Sequence, residues 1–98
     1  MVRYEVRVQL KEDLLPAFER YMRETHLPEI LATVCFSSIR FERSEDGAFR
    51  SCYEAADQGS VDRYLGQYAP RFREDFMARF PEGCDIRREV WTQIQSFI

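Results

Sequence analysis

The sequence predicts a small α+β domain with the element order βαββαβ, and three patterns lead to that prediction. Apolar and polar residues alternate at the N-terminus, which is typical of a strand with one buried face. Two later segments carry apolar residues at helical spacing, and between them a turn containing Gly joins two alternating runs. The 98 residues fit one domain, 1–98, and a 45% share of hydrophobic residues suffices to build its core.

The first strand is the clearest element, because apolar residues occupy every second position of residues 2–10. The helix that follows is expected to run to about Thr25. Pro28 disfavours helical geometry at the residue before it, so we expect a kink near His26 and Leu27. A short second segment of helix should follow the kink. Its apolar residues are Ile30, Leu31 and Val34.

Two alternating runs, residues 35–43 and 48–56, predict a hairpin. Their apolar residues share one face only if a three-residue loop ending at Gly47 joins them, because a two-residue loop puts core residues opposite surface residues. That loop requires Gly47 in the left-handed conformation. The resulting register places Ile39 opposite Tyr53.

A second helix is expected to begin with Ser60 as its N-cap and to resume after Pro70. Its inward-facing residues are Val61, Tyr64, Leu65, Tyr68, Phe72, Phe76 and Phe80. A last strand should run from about Asp85 to Ile94. Right-handed crossovers then favour the ferredoxin-like split βαβ arrangement, in which both helices cover one face of a four-stranded antiparallel sheet.

The sheet face without helices, called the open face below, is predicted to be strongly charged. Alternation assigns to it Arg3, Glu5, Arg7, Gln9, Phe36, Ser38, Arg40, Glu42, Arg50, Cys52, Glu54, Arg87, Glu89, Trp91 and Gln93. Such a face suits a solvated surface with cross-strand ion pairs, a homodimer interface set by Arg–Glu pairs, or an RNA-binding sheet. The homodimer interpretation places Arg3, Arg7, Phe36, Arg40, Arg87 and Trp91 at the interface.

Composition narrows the classes of function. Fourteen Lys and Arg against 17 Asp and Glu give a net charge of −3, which argues against binding to nucleic acid. No apolar run approaches the ~20 residues of a membrane span, and no apolar leader is present, so the cytoplasm is the expected compartment. Cys35, Cys52 and Cys84 share no metal-site spacing and are expected to be reduced and mostly buried. With a single His, we expect neither a metal site nor a cofactor.

Residues 25–36 read THLPEILATVCF and resemble a motif of a family of small bacterial proteins known only as a domain of unknown function. That family carries His-Ile-Pro-Glu-x-Leu-Ala-Thr-Gly-x-Phe after its first helix. Residues 64–71 and 79–80 are similar to its second-helix region, so the resemblance covers nearly the whole chain. It implies a ferredoxin-like fold paired as a dimeric α+β barrel, and it implies no activity. Val34 replaces the family Gly, and because a β-branched residue avoids positive φ, the turn is expected to differ.

His26 is the main candidate for chemistry. It lies at the predicted C-terminal end of the first helix, where the helix dipole favours a charged imidazolium. It could exchange a proton with a ligand in a cleft, or it could simply cap the helix carbonyls, which is the interpretation we favour. Further candidates for ligand binding are Glu29, Thr33, Tyr53 and Tyr64. Each also has a structural interpretation, in a helix turn or in the core.

The leading hypothesis is a cytoplasmic homodimer that binds a small molecule or a partner and lacks robust catalysis. One alternative is a cofactor-free enzyme, resembling small monooxygenases or isomerases, with His26 as acid–base. The other is a purely structural interaction module, which predicts no cavity of ~300 Å³ or more between helices and sheet. The sequence leaves open whether the dimer forms through the open face or through edge strands and the tail, residues 92–98. For that tail it predicts docking of Phe97 and Ile98 on the protomer or its partner.

Overall fold

The computed structural model describes residues 1–98 as a four-stranded antiparallel sheet with helices packed on one face. The strands are β1 (Val2–Leu10), β2 (Ser38–Arg43), β3 (Phe49–Ala55) and β4 (Cys84–Thr92), in the order β2-β3-β1-β4. The helices are α1 (Leu15–Tyr21), α2 (Leu27–Leu31), α3 (Gln58–Arg63) and α4 (Ala69–Arg79). This confirms the predicted ferredoxin-like βαββαβ arrangement. No helix combines the length and the apolar character that crossing a bilayer requires.

A π-helical turn joins α1 to α2 over Met22–His26, and a second joins α3 to α4 over Tyr64–Tyr68. Each turn lies just before a helix that carries Pro in its first turn. In the first, the Leu27 amide donates to the Met22 carbonyl, five residues back. The wider turn relieves the clash between a proline ring and the preceding turn. The helical type thus changes where a kink near His26 and Leu27 was expected, and both residues keep helical dihedral angles.

The β2–β3 hairpin confirms the predicted register. The Ser44 amide donates to the Ala48 carbonyl at 2.8 Å, so the loop holds three residues. Gly47 has a φ of +87°, and Ile39 pairs with Tyr53. The parity of apolar residues was thus enough to choose between the two loop lengths.

The entry into β2 differs from the prediction. Val34 lies beyond α2 in a turn, with a φ of +63°, so the expectation that it avoids the left-handed region is wrong. Its side chain is 80% exposed, so the strain comes from its own backbone rather than from neighbours. The turn interrupts the alternation of the strand that follows. Phe36 is consequently buried in the core beside Tyr53 and Tyr64, and its assignment to the open face is wrong.

Two element ends also differ from expectation. Asp57, not Ser60, caps the second helix: its Oδ1 accepts the Ser60 amide at 2.8 Å. β4 ends at Thr92, so Ile94 lies beyond the sheet, and the tail that follows is exposed. Phe97 does not dock on its own protomer.

The core is dominated by aromatic rings between the sheet and the helices. Phe18 is fully buried and lies 5.1–6.2 Å, centroid to centroid, from four Phe rings. These rings belong to Phe41, Phe49, Phe76 and Phe80. The phenylalanines of the second helical segment are buried as predicted. All three cysteines are free; Cys35 and Cys52 are buried and Cys84 is partly buried.

Candidate functional site

A cleft of about 60 Å³ lies between the helices and the covered face of the sheet, on the β1–β4 side. Most of its lining is apolar or aromatic: Tyr4, Val6, Tyr53, Tyr64, Phe72 and Ile86 are among the lining residues. The sheet supplies these side chains because every second residue of β1, β3 and β4 points towards the helices. The polar members of the lining are one histidine, two arginines and the tyrosine hydroxyls. The cleft thus combines an apolar wall with a few polar groups, which is typical of small-molecule sites.

His26 lies in the cleft lining at the end of the first π-helical turn. Its Nδ1 is 3.2 Å from the Tyr21 hydroxyl, and the Phe72 and Phe76 rings lie 5.9 Å from its ring. Burial lowers the pKa of His26 to about 4, against the opposing charge of Asp75. The expectation of a charged imidazolium is wrong, because the helix does not end at this residue and burial outweighs any dipole. At neutral pH His26 is a neutral hydrogen-bonding group.

Tyr53 and Tyr64 are buried and face the same cleft. Burial is the main cause that raises the pKa of each hydroxyl above its usual value. Both therefore stay protonated and can donate a hydrogen bond. The structure brings these two predicted residues together with His26.

Two arginines of the cleft, Arg73 and Arg88, were not singled out from the sequence. Neither has a carboxylate within 4.0 Å, since the three ion pairs of the structure all involve other residues. Arg73 Nη2 donates to the Tyr4 hydroxyl at 3.3 Å. A signal for Arg88 was available, because it shares the inward parity of Ile86 on β4 and a charge at an inward position calls for an explanation.

Glu29 and Thr33 do not line the cleft. Glu29 is exposed in the first turn of α2. Thr33 Oγ1 donates to the Ile30 carbonyl at 2.7 Å and accepts the Cys35 amide at 3.4 Å. These bonds fix the turn that leads into β2, which is the structural interpretation of Thr33.

The open face carries rows of side chains that run across the sheet. Arg7 on β1 pairs with Arg50 on β3 and with Arg87 on β4, and we call these three residues the arginine row. Two residues away along β1, Glu5 pairs with Glu89 of β4, and we call these two residues the acidic pair. Both sets line a polar groove of about 350 Å³. Like charges directly opposite each other on neighbouring strands are unfavourable, so the arginine row calls for opposite charge nearby.

Three ion pairs lie on the open face. Their atoms and separations are Arg50 Nη2 to Glu42 Oε1 at 2.8 Å, Arg3 Nε to Glu5 Oε1 at 3.1 Å, and Arg40 Nη1 to Glu54 Oε1 at 3.3 Å. Of the predicted interface residues, Arg3, Arg7, Arg40, Arg87 and Trp91 pair within rows of this face. Nowhere in residues 1–98 do three or more His, Cys, Asp or Glu side chains form a group that could hold a metal ion.

Solved structures share this fold at low sequence identity. SnoaB, a cofactor-independent oxygenase from Streptomyces nogalater, superposes with a TM-score of 0.72 at 13% identity, over 97% of this chain and 94% of that one. A monooxygenase from Streptomyces coelicolor, solved with the ligand nanaomycin D, gives 0.74 at 14% identity over 99% and 90%. A dimeric ferredoxin-like protein from an uncultured marine organism gives 0.73 at 8% identity over 99% and 97%. At these identities the likeness shows the fold alone.

Sequence comparison identifies the family. No curated protein sequence matches this chain significantly. A family model described as a domain of unknown function, DUF4286, matches residues 1–94 and therefore almost the whole chain. The protein belongs to the DUF4286 family.

Proposed function

We propose that the protein is a homodimeric small-molecule-binding protein whose cleft takes an aromatic molecule with an anionic group. The observation that carries this proposal is the joining of an aromatic wall to two arginines that have no carboxylate partner. Aromatic rings favour a flat apolar ligand, and the arginine pair favours a carboxylate or sulfonate on it. His26 and the tyrosine hydroxyls supply neutral hydrogen-bonding groups.

The size of the cleft sets a condition on binding. At about 60 Å³ it is smaller than the ~300 Å³ of a typical ligand site, as the interaction-module hypothesis expects. Met77 and Arg73 are exposed on α4 and belong to the lining. Both side chains are long and flexible, so their outward rotation would enlarge the cleft without any backbone change. The unpaired arginines favour ligand binding over a purely structural role.

Calorimetric titration with 2-naphthoate and with the neutral 2-naphthalenemethanol tests the proposal. We expect saturable binding of both, with 2-naphthoate the tighter. Arg88→Gln should weaken 2-naphthoate binding by about fivefold and leave the neutral compound unchanged, because only the anion uses the charge. Arg20→Gln removes an exposed charge that does not line the cleft and serves as the matched control. Absence of heat for either compound at ~1 mM would contradict the proposal.

The homodimer is expected to form through the open face. The support is the charged face itself and the likeness to a ferredoxin-like protein described as dimeric. The cytoplasm is the proposed compartment, since three free thiols without a disulfide fit a reducing environment.

A cofactor-free enzyme is the second candidate, because His26 lies in the cleft and is neutral at pH 7. Its acid–base strength argues against that role. A base whose conjugate acid has a pKa near 4 is about 6 units too weak to deprotonate a phenol, a cost of roughly 8 kcal/mol. If His26→Ala abolishes turnover of a bound substrate but not its binding, the enzyme hypothesis replaces the first.

A further inference from the structure

We propose that two copies pair open face to open face about a twofold axis that crosses the strands between residues 5 and 7 of β1. In this arrangement each arginine row faces the acidic pair of the other copy. The inference rests on the proposed homodimer and specifies its interface.

The row pattern gives the axis. A twofold axis that runs across the strands places each strand opposite the same strand of the partner. It also places each row of side chains opposite the neighbouring row of the partner. Arg7 then faces the partner's Glu5, and Arg87 faces the partner's Glu89. On β2, Arg40 faces the partner's Glu42. Each contact occurs twice by symmetry, and every one of these contacts joins opposite charges.

The other in-plane axis brings fewer opposite charges together in the same rows. A twofold axis that runs along the strands places each row of side chains opposite the same row of the partner. If it lies under β1, Arg7 meets the partner's Arg7; if it lies between β1 and β3, Arg7 meets the partner's Arg50. The second choice also brings Arg87 opposite the partner's Glu42. Either choice, however, places arginines against each other at the centre of the interface, where like charges are unfavourable.

The free charges support the choice. Within one protomer, neither Arg7 nor Arg87 has a carboxylate within 4.0 Å, and Glu89 has no basic group within that distance. All three line the polar groove. Two sheets that pack face to face lie about 10 Å apart, so their long side chains reach across the interface. A second copy supplies the missing partner for each of these groups.

Sedimentation equilibrium of three variants tests the register. Arg87→Glu and Glu89→Arg change exposed residues of β4 that make no ion pair in the protomer, so the fold should survive, as circular dichroism can verify. Each variant alone should dimerise at least about tenfold more weakly than the wild type, because residues 87 and 89 then carry like charges that face each other. An equimolar mixture of the two should recover the wild-type dissociation constant, since the heterodimer restores opposite charges. Arg20→Glu is the control and should change nothing.

The outcomes separate the two proposals. Restoration in the mixture supports the register, whereas weaker dimerisation of both variants without restoration overturns it. A wild-type dimer whose dissociation constant is unaffected by Arg87→Glu overturns the register and leaves the homodimer standing. A wild-type protein that is monomeric overturns the homodimer as well.

Discussion

The two faces of the sheet differ in what specifies them. The covered face consists of aromatic rings whose positions are set by packing in the core. Its cleft holds one neutral histidine among those rings. The open face consists of charged side chains, and the register between neighbouring strands sets which of them lie side by side. Burial therefore dominates the chemistry of one face, and Coulomb interactions dominate the other. A substitution should have an effect of different size and origin on each face.

The largest difference is expected between a core and a tail phenylalanine. Phe18→Ala should lower the free energy of unfolding by about 3–5 kcal/mol, because it empties a site surrounded by rings. Phe97 is 85% exposed, so Phe97→Ala should change it by no more than about 0.5 kcal/mol. Urea denaturation of both variants measures the contrast. Equal losses would show that the tail is packed in solution.

Acid should act on the covered face through His26. Its pKa is about 4 in the folded protein and 6.5 in the unfolded chain, so the unfolded chain binds the proton more readily. The contribution of His26 to the free energy of unfolding is fully present above pH 6.5. It is lost as the pH decreases towards 4, which lowers the free energy of unfolding by about 2–3 kcal/mol. His26→Gln should remove that component, so its unfolding free energy should depend less on pH between 7 and 4.5. Parallel pH profiles for variant and wild type would contradict the buried, neutral histidine.

A smaller effect should come from the turn that sends Phe36 to the covered face. Val34→Gly relieves a left-handed backbone and should raise the free energy of unfolding by about 0.5–1 kcal/mol, after the greater flexibility of Gly in the unfolded chain is included. Val34→Ala is the control, because Ala keeps a Cβ and should gain less. Thermal unfolding measures both. A destabilised Val34→Gly would mean that the turn is not left-handed.

Alternation and helical spacing predicted the fold, since both patterns report directly which side of an element is buried. The hairpin register followed because Ile39 and Tyr53 had to share a face. Phe36 was assigned to the wrong face because parity holds only inside a strand, and the left-handed turn at Val34 lies just before β2. The left-handed turn that the family Gly favours is kept here with Val34 in its place, against the expectation that the turn differs.

The candidate site was predicted in part. Tyr53, Tyr64 and His26 meet in the cleft, but the protonation state of His26 depends on rings that come from distant parts of the chain. The spacing of apolar residues along the chain does not predict how completely those rings enclose His26. Arg73 and Arg88 line the cleft from the exposed surface of α4 and from an inward position of β4. The spacing of apolar residues does not report on such charged side chains at the edge of a core.

Sedimentation equilibrium of the wild-type protein at low and high salt tests whether the open face forms a dimer while the covered face forms the core and the cleft. A homodimer paired through the open face should have a mass near twice the 11.7 kDa of the chain, and its dissociation constant should rise as salt screens the interfacial ion pairs. A mass of 11.7 kDa at every concentration up to about 100 μM would contradict the homodimer, because the open face would then be a solvated surface.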